Sequence, residues 1–225
     1  MLSGDYRVIF EGNNLERIFE GLLVTIKIAF ISVIIAIILG ILFGVIMTVK
    51  SKIIRAISRF YLETMRIIPI IVWLFIGYFG IASTLNINLE AETVCIIIFS
   101  LWGIAEMGDL VRGAIESIPK HQIEAGQCLG LSKIQIYRYI LVPQGIRRVI
   151  PGAINLSTRM IKTTSLVVLI GVVEVVKVSQ QIIETSILNA PKASFFIYGF
   201  VFILYFIVCY PISILANIAE KKLEY

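Results

Sequence analysis

Long hydrophobic stretches separated by short polar connections are the main pattern of this sequence. An α-helix of about 20 apolar residues can cross a bilayer core about 30 Å thick, because it satisfies its own backbone hydrogen bonds. Such stretches lie at residues 22–49, 60–81, 93–111, 149–173 and 195–219. They lack the strict alternation that is typical of membrane β-strands. The pattern therefore predicts an all-α integral membrane protein with five transmembrane helices.

The polar segments complete the predicted domain organisation. Residues 1–21 carry a weak amphipathic pattern and are interpreted as a helix at the membrane surface. Residues 22–219 form a single transmembrane domain, which contains a long polar connection at 113–147 and a mixed segment at 174–194. Residues 220–225 are predicted to be a short charged tail.

Composition supports the membrane assignment and excludes several classes of site. The 225 residues are 58% hydrophobic and 16% charged, with a mean hydropathy of +0.94 and a net charge of +5. No basic patch is interleaved with aromatic residues, so we expect no nucleic-acid partner. Cys95, Cys128 and Cys209 lie far apart and do not cluster with His121, the single histidine. We therefore expect no disulfide framework and no metal site.

Basic residues are distributed unevenly between the two sides of the five predicted spans. One side collects Lys50, Lys52, Arg55, Arg59, Arg112, Lys120, Lys133, Arg138, Arg147, Arg148, Lys221 and Lys222. The other side has only Arg7, Arg17, Lys177 and Lys192. The basic side of a membrane protein is usually cytoplasmic. This predicts an external N-terminus, a cytoplasmic C-terminus, and a cytoplasmic location for 113–147 between the third and fourth spans.

A spaced motif lies within this cytoplasmic connection. Glu124-Ala125-Gly126 is followed after three residues by Gly130, and after nine more by Ile140-Leu141-Val142-Pro143. Small side chains at 125 and 126 would let a short helix approach a partner closely, and Gly130 can end that helix in the left-handed conformation. A second short helix is predicted from Lys133 to Ile140, ended by Pro143. The motif predicts a rigid knob that fits a groove on another protein.

This motif resembles the EAA loop of binding-protein-dependent ABC transporter permeases, with Gly126 in place of the second alanine and Val142 in place of leucine. The flanking sequences are similar to the polar amino acid subfamily. They comprise Tyr61, Glu63, Arg66 and Pro69, the stretches 112–118 and 141–145, Lys162 to Leu166, and Glu174.

The resemblance implies a multi-pass permease of the cell membrane, surrounded by lipid, that carries an amino acid substrate. The implied partners are a dimer of cytosolic ATPase subunits, a second permease subunit and an external solute-binding protein. Because the chain lacks a GxxxxGK[ST] phosphate loop, we expect it not to be an enzyme and to hold no cofactor. ATP and magnesium would be bound by the ATPase. The implied ATPase-coupling residues are Glu124, Ala125, Gly126, Leu129 and Gly130.

Polar residues inside the spans are candidates for the substrate path, because charge within a membrane is costly unless it is used. Lys162, Thr164 and Ser165 could bind a substrate carboxylate, although Lys162 could instead pair with Glu174 as a structural contact. Trp73 and Glu106 stand where the subfamily usually has glutamine and tyrosine. They are candidates for specificity, with Glu106 as a possible counter-charge for a cationic amino acid.

Two structural ion pairs are predicted from residues three apart on one helix face. The first joins Glu63 to Arg66, and the second joins Asp109 to Arg112.

Other classes of protein fit the sequence less well. An ATP-independent secondary transporter or channel would show internal repeats with paired broken helices, and none is evident in the sequence. A membrane enzyme would need clustered acid–base residues, and a scaffold would not need the spaced motif. The sequence leaves open which amino acid is carried and whether the permease is a homodimer or a heterodimer.

Overall fold

The computed structural model describes residues 5–81, 84 and 89–223, and the regular elements in this part of the chain are helices. The order is a 3-10 helix at Asp5–Phe10, α1 at Asn14–Met47, α2 at Lys52–Ile67, α3 at Ile70–Phe75 with a π-helical continuation at Ile76–Ile81, α4 at Ala91–Glu116, α5 at Lys120–Cys128, α6 at Lys133–Ile136 with a π-helical turn at Tyr137–Leu141, α7 at Val142–Thr163 with a 3-10 continuation at Thr164–Ile170, α8 at Val175–Ser186 and α9 at Ala193–Leu223. The prediction of an all-α membrane protein is confirmed.

Three of these helices, α1, α4 and α9, are long and apolar enough to cross a membrane. Two further spans arise if each of two bent helix pairs is counted as one, namely α2 with Ile70–Ile81 and Lys133–Ile170 with α8. The predicted number of five is therefore the upper count by length and composition. The orientation of the chain stays a prediction.

Two helices are longer than the apolar stretches that predicted them. α1 begins at Asn14, directly after a turn in which Gly12 has a φ of 52°, so residues 14–21 belong to α1 and not to a separate surface helix. α9 continues to Leu223 through most of the predicted tail. Residues 1–4 and 224–225 lie outside the described part.

Two of the predicted spans are broken. Ile68 before Pro69 has an extended backbone, with φ −79° and ψ 124°, because the proline ring disfavours helical geometry in the residue that precedes it. The second break follows Gly171, which has a φ of 89°. Broken helices, which were not evident in the sequence, are thus present in the structure, and this observation no longer argues against a secondary transporter.

The described residues within 1–32, 70–99 and 159–211 form one compact unit, called the first unit below. Its core joins the N-terminal 3-10 helix and the start of α1 to α8 and α9. Ile18, Val175, Ile182 and Ile197 are fully buried in this core. The apolar contacts explain why the sequence after the second break, predicted to be a mixed segment of loop with some helix, forms the regular helix α8.

Glu174 caps α8 from a fully buried position in the first unit. Its carboxylate accepts a 2.9 Å hydrogen bond from the Lys177 amide and a 3.3 Å hydrogen bond from the Thr25 hydroxyl. At Gly21, a Cβ atom would lie only 2.9 Å from the Val175 nitrogen, so a glycine is needed for α1 to approach the cap. The alternative pairing of Glu174 with Lys162 is not what the structure shows.

Replacing Glu174 with alanine is expected to lower the free energy of unfolding by about 1–2 kcal/mol, since a helix cap is lost. Thermal unfolding of the purified protein in detergent would measure this. Glu184→Ala is the matched control, because Glu184 is an exposed residue of the same helix and its side chain makes no hydrogen bond with any described residue. Equal effects of the two substitutions would contradict the capping role.

The described residues within 33–69, 100–158 and 212–223 form the second unit. Met47, Leu62 and Ala105 are buried together where α1, α2 and α4 meet. Gly40 and Gly44 of α1 lie against Met107, Gly108 and Val111 of α4 without room for a side chain. This unit also contains the spaced motif and most of the charged residues described next.

Candidate functional site

The spaced motif folds as two short helices, α5 and α6, joined by a tight turn at Gly130. Gly130 has a φ of 75°, the left-handed conformation that the sequence predicts, and the Leu131 amide donates a 3.0 Å hydrogen bond back to the Gly126 carbonyl. Ser132 begins α6 with a capping box, in which its hydroxyl accepts from the Gln135 amide and its amide donates to the Gln135 side chain. We call the segment Lys120–Leu141 the coupling knob.

A small apolar core holds the coupling knob together. Ile118, Ile136 and Leu141 are buried in it, and Ile123, Leu131, Tyr137 and Ile140 pack around them. Gly126 is buried beneath this group, where a Cβ atom would lie 2.8 Å from Ile140 Cδ1. The prediction that Gly126 lets a partner approach is therefore wrong. Its missing side chain serves the internal packing of the knob.

The sequence predicts that the second helix of the knob ends at Pro143. In the structure it does not end there. The π-helical turn Tyr137–Leu141 precedes the proline, with the Val142 amide bonded to the Tyr137 carbonyl, and the chain continues directly into α7. A π-helical turn relieves the clash between a proline ring and the preceding turn of helix. The second helix of the knob and α7 thus form one continuous helical segment.

The outer surface of the knob combines apolar and polar groups. Leu129 is 82% exposed, Ile134 79% and Tyr139 63%, and Glu124 and Ala125 are exposed as well. Ile134 and Tyr139 were missed by the sequence analysis, because neither belongs to the spaced motif. Several strongly exposed apolar side chains on a polar segment are typical of a surface that binds another protein.

A chain of ion pairs lies in the second unit. The Arg66 guanidinium donates to Glu106 at 2.9 Å and contacts Asp109 at 2.8 Å, while Arg112 contacts Asp109 at 2.6 Å and also pairs with Glu116. The structure thus brings Asp109 and Arg112 together, as the sequence predicts. Because Glu106 is bonded to Arg66, the hypothesis that it acts as a free counter-charge for a cationic substrate gains no support.

The predicted pair between Glu63 and Arg66 is wrong. Two carboxylates on α4 occupy the Arg66 side chain, and Glu63 has no ion pair with any described residue. Glu63 instead lines a cavity of about 340 Å³ together with Arg55 and Arg59.

The remaining substrate-path candidates lie in the first unit. Lys162 is exposed, and its carbonyl accepts a 2.9 Å hydrogen bond from the Ser165 hydroxyl. Thr164 is fully buried, with its hydroxyl bonded to the Ile161 carbonyl at 2.7 Å, so it is occupied within its own helix. The 3-10 helix Thr164–Ile170 packs against α3, which carries Trp73. The Trp73 indole nitrogen is buried without a hydrogen-bond partner among the described residues.

No group of three or more His, Cys, Asp or Glu side chains in the described ranges is arranged to hold a metal ion. The exposed side chains of the knob can contact another protein, and the charged side chains around Arg66 form ion pairs. The Trp73 indole N–H remains a hydrogen-bond donor without a partner among the described residues.

Comparison with known proteins gives a consistent result. Residues 36–225 match the family described as binding-protein-dependent transport system inner membrane component. A Bacillus subtilis protein named probable glutamine ABC transporter permease is 28% identical over 97% of this chain and 99% of its own length. A probable amino-acid ABC transporter permease from the same organism is 32% identical over 91% of this chain and 88% of its own length.

Two solved structures share the fold. One is described as an amino acid ABC transporter with histidines, and a chain of it matches with a TM-score of 0.83 and 24% identity over 92% of this chain and 94% of that chain. The other is a methionine ABC transporter in inward-facing conformations, with a TM-score of 0.71 and 18% identity over 94% of this chain and 98% of that chain. The family match covers most of the sequence, and this chain therefore belongs to the binding-protein-dependent inner membrane components, the permease subunits of ABC transporters.

Proposed function

We propose that this chain is the transmembrane subunit of an ATP-driven importer for a polar amino acid. The names of the relatives, which refer to glutamine and to amino acids, support this substrate class. The chain would work beside a second permease subunit, of the same or a different sequence, and would receive substrate from an external solute-binding protein. ATP and magnesium would be bound by two cytosolic ATPase subunits.

The coupling knob would be the docking site for the ATPase. The observation that carries this proposal is the exposure of Leu129, Ile134 and Tyr139 on a compact helix pair that has its own buried core. Docking would remove these apolar side chains from water, which is the main favourable contribution to most protein association. Glu124 and Ala125 would contribute the polar and close contacts at the edge of the interface, and Gly130 would keep the turn in shape.

Alternating access would follow from the continuity of the knob with α7. Closure of the ATPase dimer on ATP would move the two knobs of the permease dimer, and each knob would move its own α7. The same helical segment runs from Lys133 to Ile170 and carries Lys162 and Ser165. A shift of the knob would therefore be delivered to candidate groups of the substrate path.

Lys162, Ser165 and Trp73 are the groups that we assign to the substrate path. The exposed lysine could hold a carboxylate, and the unused indole N–H could donate a further hydrogen bond. Thr164 and Glu106 would support the path indirectly, through helix packing and through the Arg66 ion pair.

The docking proposal is tested by placing a carboxylate on the knob surface. Leu129→Asp and Ile134→Asp are expected to leave the protein in the membrane, because both side chains are exposed, and to lower co-purification of the ATPase by at least about tenfold each, as expected for central interface positions. Leu188→Asp is the matched control, since Leu188 is 91% exposed in the first unit, outside the knob. The amount of ATPase that co-purifies with Leu188→Asp should equal the amount that co-purifies with the unmodified protein.

Normal assembly and ATP-driven uptake with both knob variants would contradict the proposal. Uptake by vesicles that contain the permease without any ATPase would instead support the alternative of a secondary transporter or channel.

A further inference from the structure

The cavity in the second unit contains three charged side chains that the ion-pair chain does not use. Arg55, Arg59 and Glu63 all line it, and all three are exposed. None of them forms an ion pair with any residue in the described ranges. Arg66 and Arg112 also line the cavity, but their charges are already matched by carboxylates of α4.

The three unused side chains form one row along α2. They are four residues apart, so they lie above one another on the same helix face. Two guanidinium groups come first, and one carboxylate follows a turn later. A ligand that matches this order carries an anionic group next to a cationic group, at the separation of about one helical turn.

A stripe of exposed apolar side chains runs beside the charged row. Ile53, Ile57, Phe60 and Ile67 are 65–75% exposed and lie on a single face of α2. The small Ala56 lies between this stripe and the charged row, while Ser58 and Leu62 face the interior on the other side. The helix therefore presents polar and apolar binding surfaces next to each other, as helices at the level of lipid head groups do.

We propose that α2 binds a membrane phospholipid whose head group carries an amine, of the phosphatidylethanolamine type. Its phosphate would lie between Arg55 and Arg59, its ammonium would contact Glu63, and an acyl chain would lie along the apolar stripe. An anionic lipid such as phosphatidylglycerol would place an uncharged glycerol beside Glu63 and would therefore lack this ion pair. A free amino acid matches the charges but leaves the apolar stripe uncovered.

Native mass spectrometry of the purified full-length chain tests this proposal. The protein is incubated in detergent with equal amounts of phosphatidylethanolamine and phosphatidylglycerol, and the retained lipid is identified. The unmodified chain should retain phosphatidylethanolamine in preference. The Arg55→Gln, Arg59→Gln double variant should retain about threefold to fivefold less of it, as expected for the loss of partly exposed charge contacts.

Substitutions of Glu63 test the preference for an amine head group more specifically than the arginine variants do. Glu63→Gln should remove the preference for phosphatidylethanolamine, and Glu63→Lys should reverse it in favour of phosphatidylglycerol. The amount of phosphatidylglycerol retained by Glu63→Lys should also exceed the amount retained by the unmodified chain, and such a gain of binding cannot result from misfolding. Lys120→Gln and Lys133→Gln are matched controls, because both lysines are exposed and neither lines the cavity, and they should leave retention unchanged.

Four results would overturn the proposal. The first is equal or better retention of phosphatidylglycerol by the unmodified chain, and the second is an unchanged preference in Glu63→Lys. The other two concern other occupants of the surface. Displacement of the lipid by excess glutamine would identify an amino acid site, and loss of a dimer in Ile57→Asp with lipid retention intact would show that a second copy of the chain covers the stripe.

Discussion

Replacement of Arg66 by methionine is expected to lower the free energy of unfolding by about 2 kcal/mol. The substitution removes the cation shared by Glu106 and Asp109, whose side chains are only 12% and 19% exposed. Removing one member of a buried ion pair costs about 3–5 kcal/mol. The smaller figure reflects the 38% exposure of Arg66, which lets solvent screen part of the interaction.

The physical cause can be separated from a general loss of packing. Adding Glu106→Gln to Arg66→Met removes the carboxylate charge that loses its ion pair with Arg66, while Asp109 keeps its 2.6 Å contact with Arg112, so much of the stability should return. Arg59→Met serves as the control in lipid-free detergent, because Arg59 lines the same cavity without an ion pair to any described residue. Thermal unfolding of the four proteins would measure the differences. A double variant no more stable than Arg66→Met alone would show that the Glu106 carboxylate is not the cause.

Local patterns predicted the features of this protein that depend on neighbouring residues. The apolar stretches indicate helices because their length and composition are decided by the bilayer. Gly130 and the capping residue Ser132 determine a turn within a few residues, so the spaced motif indicates two short helices correctly. The same motif carries the family resemblance that the comparisons confirm.

Contacts between distant parts of the chain could not be predicted in the same way. Arg66 pairs with Glu106 and Asp109 of α4, which are 40 or more positions away in the sequence, and therefore does not pair with the nearer Glu63. Gly126 was assigned to a partner surface because nothing in the sequence shows that Ile136 and Ile140 fold over it. Likewise, Thr25 looks like an isolated hydroxyl in an apolar stretch, and its contact with Glu174 exists only after α1 and α8 pack together.

The broken helices illustrate a different limit. Pro69 and Gly171 are residues that often interrupt helices, but hydrophobic residues continue on both sides of each. Hydropathy alone therefore predicts one continuous span at each of these places. A proline within a membrane helix can be tolerated, as Pro151 in α7 and Pro211 in α9 show. Whether a proline ends a helix depends on the packing available to each side, which the sequence pattern does not contain.

Close packing of α1 on α4 leads to the second large expected effect. At Gly44, a Cβ atom would lie 2.5 Å from Val111 Cβ and 2.6 Å from the Gly108 carbonyl oxygen. The second contact is with backbone, so a rotamer change cannot relieve it. Gly44→Ala should therefore lower stability by about 1–3 kcal/mol, as overpacking does. Gly44→Leu should separate the two helices and sharply reduce the amount of folded protein in the membrane.

Gly113→Ala distinguishes this clash from any general effect of replacing a glycine in a helix. Gly113 lies on α4, and a Cβ atom there would meet nothing within 4 Å. Alanine favours a helix over glycine by up to about 1 kcal/mol, so the control should be neutral or slightly stabilising. Thermal unfolding in detergent and the yield of folded protein would measure both positions. If Gly44→Ala were as stable as Gly113→Ala, α1 and α4 would have to be further apart at Gly44 than the 2.6 Å distance between a Cβ atom there and the Gly108 carbonyl oxygen implies. Small residues would then not be the reason that these two helices pack.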